Sequence, residues 1–150
     1  MRFVNILKRS FIFNGLSSSL LEVIGRICQE ETHEPGVELF ETGQPAKYLY
    51  VLVRGSVALV IRTEAREEVI LATLSTPGDL LAWSALVEPR VLTAGAQTLA
   101  DTSLLRLEAR KLESLFRAHP QEGFAFMQRL ASLIATRLKD TQKQLIGSIT

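Results

Sequence analysis

The stretch from residue 32 to residue 108 is divided into short apolar runs by turns rich in glycine and proline. The runs contain many β-branched and aromatic residues and are too brief for ordinary helices, so they predict strands. Because the strands follow one another closely with no helical pattern between them, they indicate a sandwich or jelly roll rather than repeated βαβ units. The predicted strands cover residues 37–40, 48–53, 56–62, 69–74, 91–100 and 103–107.

Helical patterns flank this region on both sides, and the serines at 17–19 are candidate N-terminal caps for the main helix that precedes it. The predicted helices cover residues 3–10, 17–30, 109–117 and 121–147. The fold class is therefore mainly β with flanking helices: a β jelly-roll barrel with N-terminal helices and a long C-terminal helix. We expect one domain over residues 1–150, helical at 1–31, a barrel at 32–108 and helical again at 109–147.

The long C-terminal pattern carries two apolar stripes of different width. Phe124, Leu130 and Leu133 widen the stripe in the first half, as expected where a helix packs on its own sheet. A narrow seam with alternating steps of four and three residues is typical of helix pairing, and it comprises Met127, Ala131, Ile134, Leu138, Thr141 and Leu145. We therefore expect a homodimer through the end of this helix. The alternative is that the whole stripe lies on the chain's own sheet.

Charge and composition narrow the classes of partner. Lys and Arg number 17 against 16 Asp and Glu, a net charge of +1, so no global basic field favours nucleic acid. The single cysteine, Cys28, cannot form an internal disulfide and favours a reducing compartment, so we expect a cytoplasmic protein. No apolar run approaches the roughly 18 residues of a membrane span, so no membrane partner is expected.

Catalytic and metal-binding patterns have little support in the sequence. The two histidines, His33 and His119, fall in distant elements, so a jelly-roll metal site with clustered ligands is not expected. Cys28 adjoins Ile27 on an apolar helix face and is read as a small core residue. We therefore expect a non-catalytic protein without a metal or a resident cofactor.

Residues 77–96, PGDLLAWSALVEPRVLTAGA, form a candidate anion site. A Pro-Gly-Asp turn leads into a single helical turn, where the small residues Ala82, Ser84 and Ala85 allow backbone amides to approach a ligand. Arg90 follows Pro89 and opens an alternating run. Exposed amides at a helix start with one guanidinium facing them can hold a single phosphate.

Further motifs stand in a fixed order along the chain: FNGL at 13–16, PGVELFETG at 35–43, LYVLVRGSV at 49–57, PGD at 77–79, and PR followed by Thr93 at 89–93. In this order and spacing, from about residue 13 to residue 145, the chain resembles the cyclic nucleotide-binding domain family, including the effector domain of bacterial catabolite activator-type regulators. The resemblance implies a regulatory or sensor module that binds a cyclic nucleotide, cyclic AMP or cyclic GMP, or a related phosphate-bearing small ligand inside the barrel.

The resemblance also implies which residues line the ligand site. In the family the arginine that matches Arg90 pairs with the cyclic phosphate, and the helix segment that contains Thr141 and Gln142 contacts the purine. The implied ligand-binding residues are Ala82, Trp83, Ser84, Ala85, Leu86, Arg90, Thr93, Thr141 and Gln142. Each of these two roles has an alternative. Arg90 is otherwise a solvated arginine that pairs at most with Glu88, and Thr141 is otherwise a polar seam residue that sets the register of the paired helices.

The sequence departs from the family at one pair of residues. Ala82-Trp83 stands where the family carries Gly-Glu, and the glutamate there accepts a hydrogen bond from the ribose 2′-hydroxyl. An indole has a donor and no acceptor, so Trp83 cannot replace that carboxylate, and its bulk occupies space for the sugar. Trp83 either fills an unused pocket or stacks on a different planar or anionic ligand. In the first case the chain is a ligand-free dimerisation or protein-interaction module.

The end of the sequence bears on nucleic acid binding. Family transcription factors append a helix-turn-helix domain after the long helix, whereas only Ser148, Ile149 and Thr150 follow Gly147 here. We therefore expect no direct DNA binding. A module of this kind would act through its own dimerisation, through an unknown protein partner, or as a ligand sink.

Overall fold

Two antiparallel sheets of four strands form the body of the molecule in the computed structural model, which describes residues 2–149. The first sheet has the order β1-β8-β3-β6 and comprises β1 (Gln29–His33), β3 (Tyr48–Arg54), β6 (Leu80–Leu81) and β8 (Thr102–Glu108). The second has the order β2-β7-β4-β5 and comprises β2 (Glu38–Phe40), β4 (Val57–Arg62), β5 (Glu68–Leu74) and β7 (Gly95–Thr98). The strands thus form a jelly-roll sandwich.

Helices lie at both ends of the chain, as the sequence predicts. They are α1 (Arg2–Arg9), α2 (Ser18–Ile27), α3 (Ala109–Ala118) and α4 (Pro120–Ile149), with a one-turn 3-10 helix at Trp83–Leu86. Ser17 caps α2, because its Oγ accepts a hydrogen bond from the amide of Leu20 at 3.3 Å. Glu122, in the first turn of α4, accepts hydrogen bonds from the amide and hydroxyl of Ser17 at 2.8 and 3.1 Å. The N-terminal helices are thereby tied to the C-terminal one.

Three parts of the predicted architecture need correction. The two sheets do not close into a barrel. The predicted helix at 17–30 ends at Ile27, and Gln29–His33 pairs with β8 as a strand, so the sheets begin before residue 32. The predicted strand at 91–100 shortens to Gly95–Thr98, with Val91 forming one isolated bridge to Pro45. Its start is irregular because Arg90 has a φ of 60°, in the left-handed region that a strand cannot use.

The hydrophobic core is continuous from the N-terminal helices through the sheets to the first half of α4. Phe126 on α4 contacts the ring of Phe13 edge-on, with 5.1 Å between centroids, and the ring of Phe116 on α3 at 4.7 Å. Leu130, one turn later on α4, is also buried. Burial of these large apolar side chains contributes about 1.5–3 kcal/mol each and fixes α4 against the body of the molecule.

The second half of α4 leaves the core. Its buried residues are Gly123, Phe126 and Leu130, all in the first half. The seam residue Ile134 packs against the chain's own core, as the alternative interpretation of the stripe predicts. Phe124 is an exception: predicted to widen the packed stripe, it is 57% exposed. Leu138, Leu145, Ile146 and Ile149 are also exposed large apolar side chains. No helix within residues 2–149 is both long enough and apolar enough to cross a membrane.

Candidate functional site

The turn segment, residues 77–86, is held against β3 by backbone hydrogen bonds. The amide of Gly78 donates to the carbonyl of Leu52 at 2.7 Å, and the amide of Leu52 donates to the carbonyl of Asp79 at 2.8 Å. The Asp79 carboxylate accepts a hydrogen bond from the amide of Thr76 at 3.1 Å, which closes the turn. The segment therefore enters the site from a fixed position on the sheet.

Ala82 turns the chain sharply after β6. Its φ of 63° and ψ of 39° lie in the left-handed region, where a Cβ is strained by about 1–2 kcal/mol. The one-turn helix Trp83–Leu86 begins immediately afterwards, and Ser84, Ala85 and Leu86 are buried in it. Ala82 thus takes a conformation that glycine adopts freely, at the position where the resemblance places a glycine.

A cavity of about 610 Å³ lies between this turn, the second sheet and α4. Phe40, Leu59 and Ala72 give the sheet side of the cavity an apolar surface. Ile134 and Leu138 extend that surface along α4. A concave, mainly apolar space of this size with few polar groups is the usual form of a small-molecule site.

Five of the nine predicted ligand-binding residues line this cavity: Ala82, Trp83, Ser84, Thr93 and Thr141. Trp83 is half-buried and packs against the core. The other four predicted residues do not line it: Ala85 is buried in the core, Gln142 is exposed, and Leu86 and Arg90 line a separate depression beside α3. The structure thus brings the turn and α4 together at one site, without the predicted arginine.

Arg90 is engaged with α3 instead of facing the cavity. Its Nη1 donates to Glu113 Oε1 at 2.5 Å and to the carbonyl of Ala85 at 2.9 Å, and its Nε donates to Glu88 Oε1 at 3.3 Å. The hydrogen bond with Glu113, followed by that with Glu88, raises the pKa of Arg90. The predicted orientation toward the turn amides is therefore corrected, because Glu113 and Glu88 both bind the guanidinium. The alternative interpretation named Glu88 as the partner, and neither interpretation included Glu113.

The cation in the cavity lining is Arg137, on α4. This side chain is partly buried, and its Nη2 donates to the carbonyl of Leu80 at 3.1 Å. Burial lowers the pKa of Arg137, and the nearby carboxylates of Asp79 and Asp140 oppose that shift. Asp140 also lines the cavity. Within residues 2–149 neither carboxylate forms a direct ion pair with Arg137, so the guanidinium keeps donors available toward the cavity.

Thr141 and Gln144 complete the α4 side of the cavity. The Thr141 hydroxyl donates to the carbonyl of Arg137 at 2.9 Å, within the helix itself. Gln144 Nε2 donates to the carbonyl of Leu71 on β5 at 2.9 Å, which holds this part of α4 against the second sheet. The hydroxyl oxygen of Thr141 can still accept a hydrogen bond from a ligand.

Arg137 and Gln144 were not among the predicted site residues, although helix spacing could have indicated both. They lie four residues before and three residues after Thr141, and residues at these spacings share one face of a helix. A search for charged residues on the Thr141 face would have found Arg137. Within the described residues, no group of three or more His, Cys, Asp or Glu side chains could hold a metal ion.

Comparison with known proteins identifies relatives over most of the chain. The model of the family described as "Cyclic nucleotide-binding domain" matches residues 30–119. Glutaminase 1 of Bradyrhizobium diazoefficiens is 33% identical over 129 residues, 85% of this chain and 20% of that protein. A CRP-like cAMP-activated global transcriptional regulator of Mycobacterium tuberculosis is 25% identical over 144 residues, 96% of this chain and 62% of that protein. The chain thus spans one fifth to about three fifths of these relatives.

Solved structures with the same fold agree with this assignment. The N-terminal domain of a transcriptional regulator from Streptomyces coelicolor superposes with a TM-score of 0.74 at 26% identity, covering 93% of this chain and 94% of that one. The catabolite activator protein of Thermus thermophilus superposes with a TM-score of 0.76 at 28% identity, covering 91% of this chain and 62% of that one. The match therefore extends beyond residues 30–119 to the flanking helices.

Proposed function

Because this chain belongs to the cyclic nucleotide-binding domain family, a family of regulatory domains, we propose that it is a non-catalytic sensor module whose cavity binds a cyclic nucleotide or a related phosphate-bearing small ligand. The observation that carries the proposal is the cavity of about 610 Å³ beside Ala82, a residue that takes the left-handed conformation where the family carries a glycine. Ser84 and Thr93 add hydroxyl groups to the lining, and Thr141 adds another from α4.

The output of the module is proposed to pass through α4. This helix lines the cavity with Ile134 and Leu138 and exposes Leu138, Leu145 and Ile146 to solvent. A ligand that contacts α4 can therefore influence how its exposed apolar residues pair with a second copy or a partner protein. A net charge of +1 favours protein contact over nucleic acid as the route of the signal. The buried free thiol of Cys28 suits a cytoplasmic location.

A second candidate function is a dimerisation or protein-interaction module without a ligand. Two observations favour it: Trp83 occupies the cavity lining where the family has a glutamate, and Arg90 is paired with Glu113 and Glu88. Both features weaken recognition of a ribose cyclic phosphate. The two candidates make the same prediction about dimerisation and differ in ligand binding.

Calorimetric titration of the purified chain with cyclic AMP, cyclic GMP and cyclic dinucleotides separates these candidates. Trp83 is the single tryptophan, so its fluorescence reports whether the compound reaches the cavity. Saturable heat accompanied by a change in Trp83 emission supports the sensor. A folded dimer that gives neither signal with any phosphate ligand supports the interaction module.

A further inference from the structure

The two arginines near the site, Arg137 in the cavity lining and Arg90 after the turn, differ in whether a carboxylate neutralises them. Arg90 is compensated by two carboxylates outside the cavity. Arg137 lines the cavity, and its guanidinium donates a hydrogen bond to a neutral group, the carbonyl of Leu80. A guanidinium that is partly removed from water without a paired carboxylate is costly, and a bound anion offsets that cost. An anionic ligand therefore gains more binding free energy from pairing with Arg137 than from pairing with Arg90.

The remainder of the cavity favours a flat, apolar group. Leu59, Ala72 and Leu92 present hydrocarbon surface, and Trp83 adds the half-buried indole. An aromatic ring suits such walls, since stacking on an indole adds to the gain from apolar burial. A ribose laid against these apolar walls suits them poorly, because its hydroxyl groups would lose water there without gaining acceptors from the hydrocarbon surface.

We propose that the cavity binds a flat aromatic ring that carries one anionic group, with the ring against Trp83 and the anion paired with Arg137. The inference rests on the proposed sensor function and narrows the ligand of that same site. Asp140, also in the lining, disfavours a second negative charge and so selects for a single one. Carboxylate and phosphate share the required geometry, because a guanidinium can bind either through two parallel hydrogen bonds.

Calorimetry with naphthoate, the singly charged diester naphthyl methyl phosphate and neutral naphthamide tests the proposal on the intact chain. Both anions are expected to bind, and naphthamide is expected to bind at least about tenfold more weakly. Arg137→Met should lower the affinity for both anions by about tenfold or more, since it removes a charge-assisted contact but keeps a side chain of similar length. Arg137→Lys should retain part of the affinity. Lys139→Met removes the same charge from an exposed position outside the lining and should leave binding unchanged.

The outcomes separate this inference from the proposed function. One such result is that naphthamide binds as tightly as the anions, and another is that wild type and Arg137→Met have the same affinity for them. Either result overturns the role of Arg137 and still supports a cavity that binds a small ligand. Cyclic AMP binding that is lost in Arg90→Met, with no binding of naphthalene anions, overturns the inference and supports the sensor. If no compound binds to any folded variant, both proposals fail. Thermal unfolding of each variant establishes that it is folded.

Discussion

At the residue scale, the two arginines show how partners decide the role of a charge. For Arg90 to meet a phosphate in the cavity, its guanidinium would have to leave Glu113 and Glu88. Water screens these partly exposed ion pairs, but a ligand must still replace both contacts before the guanidinium can move. Arg137 needs no such exchange, because it already lies in the lining.

Exchanging the residues that depart from the family should change nucleotide affinity. The double variant Ala82→Gly with Trp83→Glu should strengthen cyclic AMP binding by about a hundredfold or more, since it restores an acceptor for the 2′-hydroxyl and clears space for the sugar. Wild type is expected to bind cyclic AMP weakly or not at all. Trp83→Phe, which keeps an aromatic ring without an acceptor, is the matched control, and calorimetry measures all three. Micromolar binding by wild type would contradict this explanation.

A side chain at Gly78 should destabilise the fold more than one at Gly36. Both have positive φ, 98° and 81°, but a Cβ on Gly78 would lie 2.7 Å from the backbone of Arg9, whereas one on Gly36 meets nothing within 4 Å. Gly36→Ala should cost about 1–2 kcal/mol from the backbone alone. Gly78→Ala should cost at least about 1–3 kcal/mol more, because overpacking forces backbone to move. Urea unfolding followed by Trp83 fluorescence compares them; equal stabilities would show that the contact with Arg9 relaxes freely.

At the scale of elements, α4 has two parts with different surroundings. A 30-residue helix is about 45 Å long, and its buried residues all lie in the first half. Toward its end, Leu145 is 62% and Ile149 is 76% exposed. Exposed apolar residues that follow a helical seam are typical of a surface that pairs with another helix.

A charge on that seam should separate the proposed dimer. Leu145→Asp should yield a folded monomer, because pairing would bury an uncompensated carboxylate. Thr136→Asp is the matched control: it adds the same charge at an exposed position nine residues away, half a turn around the helix, and should remain dimeric. Light scattering coupled to size-exclusion chromatography gives the masses. A monomeric wild type at high concentration would contradict the dimer.

Elements with an apolar pattern were predictable from the sequence, and those stabilised by distant partners were not. The helices and the strands β3, β4, β5 and β8 have strong periodic patterns and were predicted to within two or three residues. The sequence of β1, QEETH, has no apolar residue; it becomes a strand because its backbone pairs with β8. The two-residue β6 depends in the same way on β3.

In the candidate site, too, the residues marked by local sequence patterns were predictable, and those positioned by distant contacts were not. The turn residues Ala82 to Ser84 and Thr141 follow from motif spacing, and the structure places them around one cavity. The orientation of Arg90 depends on Glu113, a residue of α3 that no local pattern links to it. Arg137 gains its importance from burial against Leu80, which only the folded chain creates. Local spacing therefore indicates where a site lies, and tertiary contacts decide which charge faces it.

At the scale of the whole molecule, one buried thiol should make stability depend on alkaline pH. Burial raises the pKa of Cys28 from 9.0 to about 12, and its Sγ donates to the carbonyl of Ile24. Above the unfolded pKa the unfolded chain loses this proton while the folded chain keeps it, so stability falls as pH rises. The loss from this group should reach about 1.4 kcal/mol between about pH 8 and about pH 10.

Comparison of wild type with Cys28→Ala isolates this contribution. The variant lacks the thiol at both pH values, so its free energy of unfolding should fall less steeply across the same interval. Urea unfolding at the two pH values measures both proteins, and the difference between their slopes cancels groups that titrate in each. Identical slopes would mean that the Cys28 thiol ionises as readily in the folded chain as in the unfolded one.

The position of β8 constrains the order in which the molecule can fold. This strand pairs with both β1 and β3, so that Gln29 faces Arg106 and Tyr48 faces Glu108. During synthesis the first sheet therefore stays incomplete until residues 102–108 have left the ribosome, while the β4–β5 hairpin can close locally. Pairings between such distant segments fold slowly, over about milliseconds to seconds. The emerging chain must protect unpaired strand edges during that interval, which makes the period before β8 emerges the stage most exposed to misassembly.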